Sequence, residues 1–177
     1  DGDLCAENEF LCAEINNDGS ITLTDKKSGR VYKNLNTFVD DGEIGNGWFS
    51  AQPIGSNSMI SSKGSYTNIE IINNEYLVKR FRITKVLSIP KDADYNNYCR
   101  NEEYADLKIV TVVTLKNDSK SLEFETTVYN NSYDHRLRME FPTGISGNNY
   151  YASQAFTFIE RSRGITEKGA NFFEPES

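Results

Sequence analysis

Residues 38–53 read FVDDGEIGNGWFSAQP, and they gather Asp40, Asp41 and Glu43 among three glycines before the single tryptophan, Trp48. Side chains of these types could hold a hard cation, act as paired carboxylates on a glycosidic bond, or stack an indole on a sugar ring. Calcium would take the carboxylate oxygens, but the loop lacks the alternating ligand spacing of an EF-hand, and a solvated acidic turn is the simpler reading. A hydrolytic pair must sit about 5–9.5 Å apart across the bond, whereas neighbours in one turn splay apart. The single histidine, His135, excludes a His-rich zinc set and is expected to bond its neighbour Asp134 or the backbone. Cys5, Cys12 and Cys99 sit at no metal-like spacing, and no G-x-S-x-G elbow is present. No catalytic residue and no metal ligand is assigned to this chain. Residues 88–107, SIPKDADYNNYCRNEEYADL, are rich in Tyr, Asp and Asn, a composition that carbohydrate-contacting loops share with polar loops in general.

The elements that must position these residues are strands. EFLCAEIN (9–16) and SITLTDK (20–26) alternate about an NDG turn, where Asp-Gly supplies the positive φ a tight hairpin demands. RVYKNL (30–35) extends the meander after KSGR. Further strands are predicted over 66–73, 75–89, 107–115, 121–130 and 135–141, the last stopped by Pro142. No window carries an apolar pattern at helical spacing. Around ten strands with hairpin links argue for an all-β, large antiparallel β-sandwich. Segments 91–104 and 164–177 read as an inserted loop and a tail. In HRLRMEF, Leu137, Met139 and Phe141 share one face, and Arg136, Arg138 and Glu140 the other. The Arg row is expected to meet Glu123 and Glu125 of the preceding strand across a solvated face.

Composition bounds the function. The 177 residues carry 19 basic and 26 acidic side chains, a net charge of −7 that disfavours nucleic acid as a partner. An odd number of cysteines, three, suits a reducing compartment, and a cytoplasmic location is expected. No apolar run is long enough to span a bilayer, so no membrane partner is expected. The start at Asp1, close to a strand, leads to the expectation that residues 1–177 are one β-sandwich domain, a fragment of a larger multi-domain enzyme.

Three motifs in order resemble family 38 glycoside hydrolases, the α-mannosidases, in their bacterial branch. ENEFLCAEINNDGSITLTDKKSGRVYKNLNTFVDDGEIGNGW is similar to the start of that family's β-sandwich region. NNSYDHRLRMEFPTGI (130–145) is similar to its N-x-x-x-x-H-R-L-R-x-x-F-P-T-G, and YYASQAFTFIERS (150–162) to the run that follows. The resemblance extends from Glu7 to about Arg163 and implies part of a galactose mutarotase-like supersandwich. It also implies that the zinc ion and the aspartate nucleophile of a retaining mechanism belong to an N-terminal catalytic domain, outside this chain. That domain and a mannoside substrate are the implied partners, and this part alone is expected to be inactive. The family's D-G-D-x-G-D-G-Y falls on Asp41, Gly42, Glu43, Ile44, Gly45, Asn46, Gly47 and Trp48. Trp48, Asp41, Glu43 and Asn46 are thereby implied as substrate-binding residues, with Trp48 replacing the usual Tyr. Two alternatives stay open: a stand-alone carbohydrate-binding module of mutarotase-like fold, and a mutarotase using His135.

Overall fold

The computed structural model describes residues 4–54 and 59–162, and every regular element among them is a strand. The tail expected over 164–177 lies outside the described residues. β1 (Cys5–Glu7), β2 (Leu11–Ile15), β3 (Ile21–Asp25) and β4 (Val31–Leu35) form an antiparallel meander in chain order. The Asp-Gly turn between β2 and β3 holds Gly19 at φ +70, as the sequence predicts. A Cβ there would also lie 2.6 Å from the Ile83 side chain, so a side chain is excluded by packing as well as by backbone conformation.

A second sheet carries the longest strands. It orders β12 (Glu123–Tyr129), β11 (Tyr104–Lys116), β8 (Val78–Pro90) and β7 (Tyr66–Asn74), all antiparallel. β8 and β11 are 13 residues each, and one face of each lines two apolar clusters in turn. Phe81, Ile83, Val113 and Leu115 pack against the meander's Ala6, Leu11, Ala13, Ile15, Ile21 and Leu35. Further along the same face, Leu87, Ile89, Leu107 and Ile109 pack against Phe38. Strand alternation places Lys85 between these two sets, and it is only 2% exposed. Its ammonium donates to the Asn36 carbonyl at 3.1 Å, where the chain passes from the meander to the next sheet. Asn36 makes that passage at φ +62, and its Nδ2 donates to the Gly19 carbonyl at 3.0 Å.

The third sheet corrects the reading of the acidic stretch as a surface turn. Asp40 and Asp41 lie in β5 (Thr37–Gly42), the central strand between β13 (His135–Glu140) and β6 (Ile60–Ser61). Asp-Asp opposes strand propensity, so local pattern missed the strand, and partners from distant segments override it. The pairing of β13 also departs from expectation. Its neighbour is β5, with Arg136 opposite Asp41 and Leu137 opposite Asp40, so its arginines meet Asp41 and not Glu123 or Glu125 of β12. Residues 91–104 include a short hairpin, β9 (Ala93–Asp94) with β10 (Cys99–Arg100). β14 (Asn149–Gln154) and β15 (Thr157–Ser162) form a separate hairpin.

Candidate functional site

Adjacent residues of a strand point to opposite faces, and β5 buries a carboxylate on each. Asp40 is 0% exposed and faces the same side as Phe38 and the inward row of β13. Arg100 Nη2 donates to its Oδ1, and His135 Nδ1 donates to its Oδ2 at 2.6 Å. The other ring nitrogen, Nε2, lies 3.1 Å from Asn130 Oδ1, which also accepts from the Ser132 N–H. His135 therefore bonds Asp40, not Asp134 or the backbone as expected from sequence. On the opposite face Asp41 accepts from Arg136 Nε and Nη2 at 3.2 and 3.1 Å, and from Arg138 Nη2 at 3.0 Å. Asp41 holds the Arg136 guanidinium above its ordinary pKa, although partial burial works against the charge. Such fork-like pairs are strong because both partners are charged and the geometry is fixed.

This ionic floor supports the loop that follows. The Glu43 N–H donates to the Asp134 carbonyl at 2.9 Å, which ties the loop to the start of β13. Asp134 in turn accepts from Tyr95 Oη at 2.7 Å and from the Ala93 N–H at 3.2 Å, so the β9–β10 hairpin is anchored at the same point. Glu43 then closes the loop from inside. Its Oε1 accepts from the N–H groups of Gly45 and Ala51 at 2.9 and 2.7 Å, and its Oε2 from Ser50 Oγ at 2.5 Å. Burial pushes the carboxyl upward, but the Ser50, Ala51 and Gly45 donors and the Arg136 charge together hold it below its ordinary pKa. Asn46 Oδ1 caps the tip, accepting from the N–H groups of Trp48 and Phe49 at 2.9 and 3.1 Å. Position 45 admits only glycine, since a Cβ would lie 2.0 Å from the Phe49 carbonyl oxygen.

Of the four residues implied as sugar contacts, the structure brings Asp41, Glu43 and Asn46 into the frame of the loop. Each spends its side-chain acceptors on protein donors. Trp48 stands apart from them at 86% exposure, with Phe49 beside it also exposed. Sequence reading missed Asp40, Arg100, Arg136 and Arg138 as parts of this floor. The signal was present in part: HRLR puts both arginines on one strand face, but the acid opposite them is 95 residues away along the chain. A shallow concavity of about 470 Å³, lined by Arg80, Lys116, Glu123 and Glu125 among others, lies on the sheet of β8, β11 and β12 and includes no residue of the Trp48 loop.

Comparison with known proteins places these features in a family. The family model described as "Glycosyl hydrolases family 38 C-terminal domain" matches residues 6–173. A protein of Halalkalibacterium halodurans provisionally named a mannosylglycerate hydrolase is 29% identical over 170 residues, covering 88% of this chain and 19% of its own length. The crystal structure of an α-mannosidase from Enterococcus faecalis V583 superposes with a TM-score of 0.87 at 29% identity, covering 96% of this chain and 21% of that one. A second Enterococcus faecalis structure, of a protein in glycosyl hydrolase family 38, gives a TM-score of 0.84 at 30% identity, covering 90% and 21%. The chain thus spans about one fifth of the length of these relatives.

Proposed function

Because this chain belongs to the family 38 glycosyl hydrolase C-terminal domains, we propose that it is the non-catalytic β-sandwich of a longer enzyme that hydrolyses terminal α-mannosides. The observation that carries this reading is the exposed Trp48 on a loop whose base is fixed by Glu43 and by the buried ion pairs of β5. An indole held out on a rigid loop loses little further freedom when a sugar stacks on it. In this reading Trp48 contacts the mannoside, while Asp41, Glu43 and Asn46 act through the loop they hold. Catalytic groups and the zinc ion of the retaining mechanism are supplied by an N-terminal catalytic domain of the longer protein. The β14–β15 hairpin supports such a partner: it pairs with no other described strand and exposes Tyr151, Phe156 and Phe158. Exposed apolar hairpins of this kind are characteristic of surfaces that another domain covers. A cytoplasmic setting goes with this reading, since three cysteines, an odd number, suit a reducing compartment.

Three measurements test it together. In the longer protein, Trp48→Ala is expected to raise KM for an aryl α-mannoside roughly tenfold, the loss of about 1–2 kcal/mol of apolar contact. The melting temperature of the isolated chain should be unchanged by the same substitution, because Trp48 is outside both cores. Titration of the isolated chain with methyl α-mannoside, followed by Trp48 fluorescence, should show no saturation up to millimolar sugar. Micromolar binding by the isolated chain would favour a stand-alone carbohydrate-binding module instead, and an unchanged KM would remove Trp48 from the substrate site.

A further inference from the structure

Cys5, Glu7 and Cys12 were unremarkable as a sequence, because a C-x6-C spacing matches no metal motif. Strand pairing changes that. Cys5 and Glu7 lie two apart on β1, so both side chains leave the same face. Register places Cys12 of β2 directly opposite Glu7, and therefore diagonal to Cys5. The intervening Ala6 and its partner Ala13 point the other way, into the core. The two thiol sulfurs and a Glu7 carboxylate oxygen all fall within 4.8 Å of one another on the outer face of the meander.

The separations suit one ion. Cys5 Sγ and Cys12 Sγ are 3.6 Å apart, far beyond the about 2.05 Å of a disulfide. Two thiolates bound to a tetrahedral zinc at about 2.3 Å each stand about 3.8 Å apart, so the pair already spans one edge of that tetrahedron. A carboxylate oxygen at the third corner and water at the fourth complete a common zinc coordination number. Two sulfur donors select against magnesium and calcium, which prefer oxygen. The carboxylate is already held by one cation, since Lys26 Nζ lies 2.5 Å from Glu7 Oε1. Lys26 also donates to the Asn8 carbonyl at 2.6 Å, which anchors it at the rim.

We propose that Cys5, Glu7 and Cys12 form a zinc site that clamps the edge strand β1 to β2. Binding converts both thiols to thiolates and releases two protons to solvent, with no change in oxidation state. The Lys26 ammonium beside the Glu7 carboxylate weakens the site.

Cobalt(II) is the probe, added to the reduced chain carrying Cys99→Ser to remove the remaining thiol. One equivalent is expected to give thiolate-to-cobalt charge-transfer absorption and the intense visible bands of tetrahedral cobalt, both erased by one equivalent of zinc. Cys5→Ser and Cys12→Ser should each abolish the charge-transfer band. Glu7→Gln should weaken binding at least roughly tenfold, and Lys26→Met should tighten it. Should a variant fail to fold by circular dichroism, alkylating both thiols of the folded chain serves in its place and must also abolish the band. A weak octahedral spectrum with both thiols still reactive to a thiol reagent would overturn the site. So would bands that survive the loss of Cys5 and Cys12, or oxidation to a disulfide by a chain that takes up no metal when reduced.

Discussion

Asp40 has no exposed surface, yet it carries a charge between two cationic or hydrogen-bonding partners that are themselves nearly buried, Arg100 and His135. Removing one member of such a group strands the others without water. Asp40→Ala is therefore expected to cost about 3–5 kcal/mol in urea denaturation, and Arg100→Met in the same chain should recover part of that loss. Additive losses in the double variant would show that the two side chains do not act as a pair. Lys85 presents the opposite case, a buried cation with neutral oxygens as its hydrogen-bond partners. Burial lowers its pKa from 10.5 to about 8, with Asp18 opposing that shift. Below about pH 8 the ammonium is charged in both folded and unfolded chains, and the folded state bears the full cost. Between about 8 and 10.5 the unfolded chain still binds the proton that the folded chain has released, so stability rises with pH. Relative to Lys85→Met, the wild type should gain up to about 3 kcal/mol across that window. A constant difference between the two unfolding free energies from pH 7 to 10 would contradict the depressed pKa.

Residues 43–54, which follow β5, form an element without regular structure whose order comes from side chains. Glu43 replaces the missing strand partner by accepting three hydrogen bonds from inside the turn. Its carboxyl is held below the ordinary 4.5, so its contribution is complete above that pH and is lost as pH falls through the folded value. Trp48 is the only tryptophan, and its fluorescence reports this loop alone. An acid transition in acrylamide quenching of Trp48 is expected below about pH 4.5, ahead of loss of the β circular dichroism signal. Glu43→Gln should show the loosened state already at pH 7 and no further acid step. Quenching that follows global unfolding in both proteins would mean that Glu43 does not hold the loop. The β9–β10 hairpin belongs to the same unit through Asp134, which joins it to Glu43 and to β13.

At the scale of the molecule, β8 and β11 run beneath two apolar clusters and make them one folding unit. A sheet that crosses both cannot lose its ladder at one end without exposing the other, and a single cooperative transition follows. Ile83→Ala in the first cluster and Leu87→Ala in the second should each destabilise by about 2–5 kcal/mol. Circular dichroism and Trp48 fluorescence should still report one common midpoint in denaturant for each variant. Separated midpoints for Leu87→Ala would show that the cluster under Phe38 unfolds independently. The cysteine pair makes the same point about scale, because its two thiols meet only through the register of β1 with β2.

Period-two alternation, the Asp-Gly turn at Gly19 and the absence of helical patterning made the all-β class legible from the sequence, as did the strands that alternate cleanly. These are local properties, carried by residues within a few positions of one another. The resemblance of three ordered motifs to family 38 was equally legible, and the family match over residues 6–173 agrees with it. The environment of Asp40 and Asp41 was not. A carboxylate reads as surface unless one knows what stands across from it, and here the answer lies 95 residues away in His135 and Arg136. Only the pairing of β5 with β13 turns an apparent acidic turn into a buried floor. Only that floor separates Trp48, which reaches outward, from the acids beside it, which hold the loop in place. Tertiary structure decided this because burial and hydrogen-bond partners are set by long-range strand register, which no short window of sequence contains.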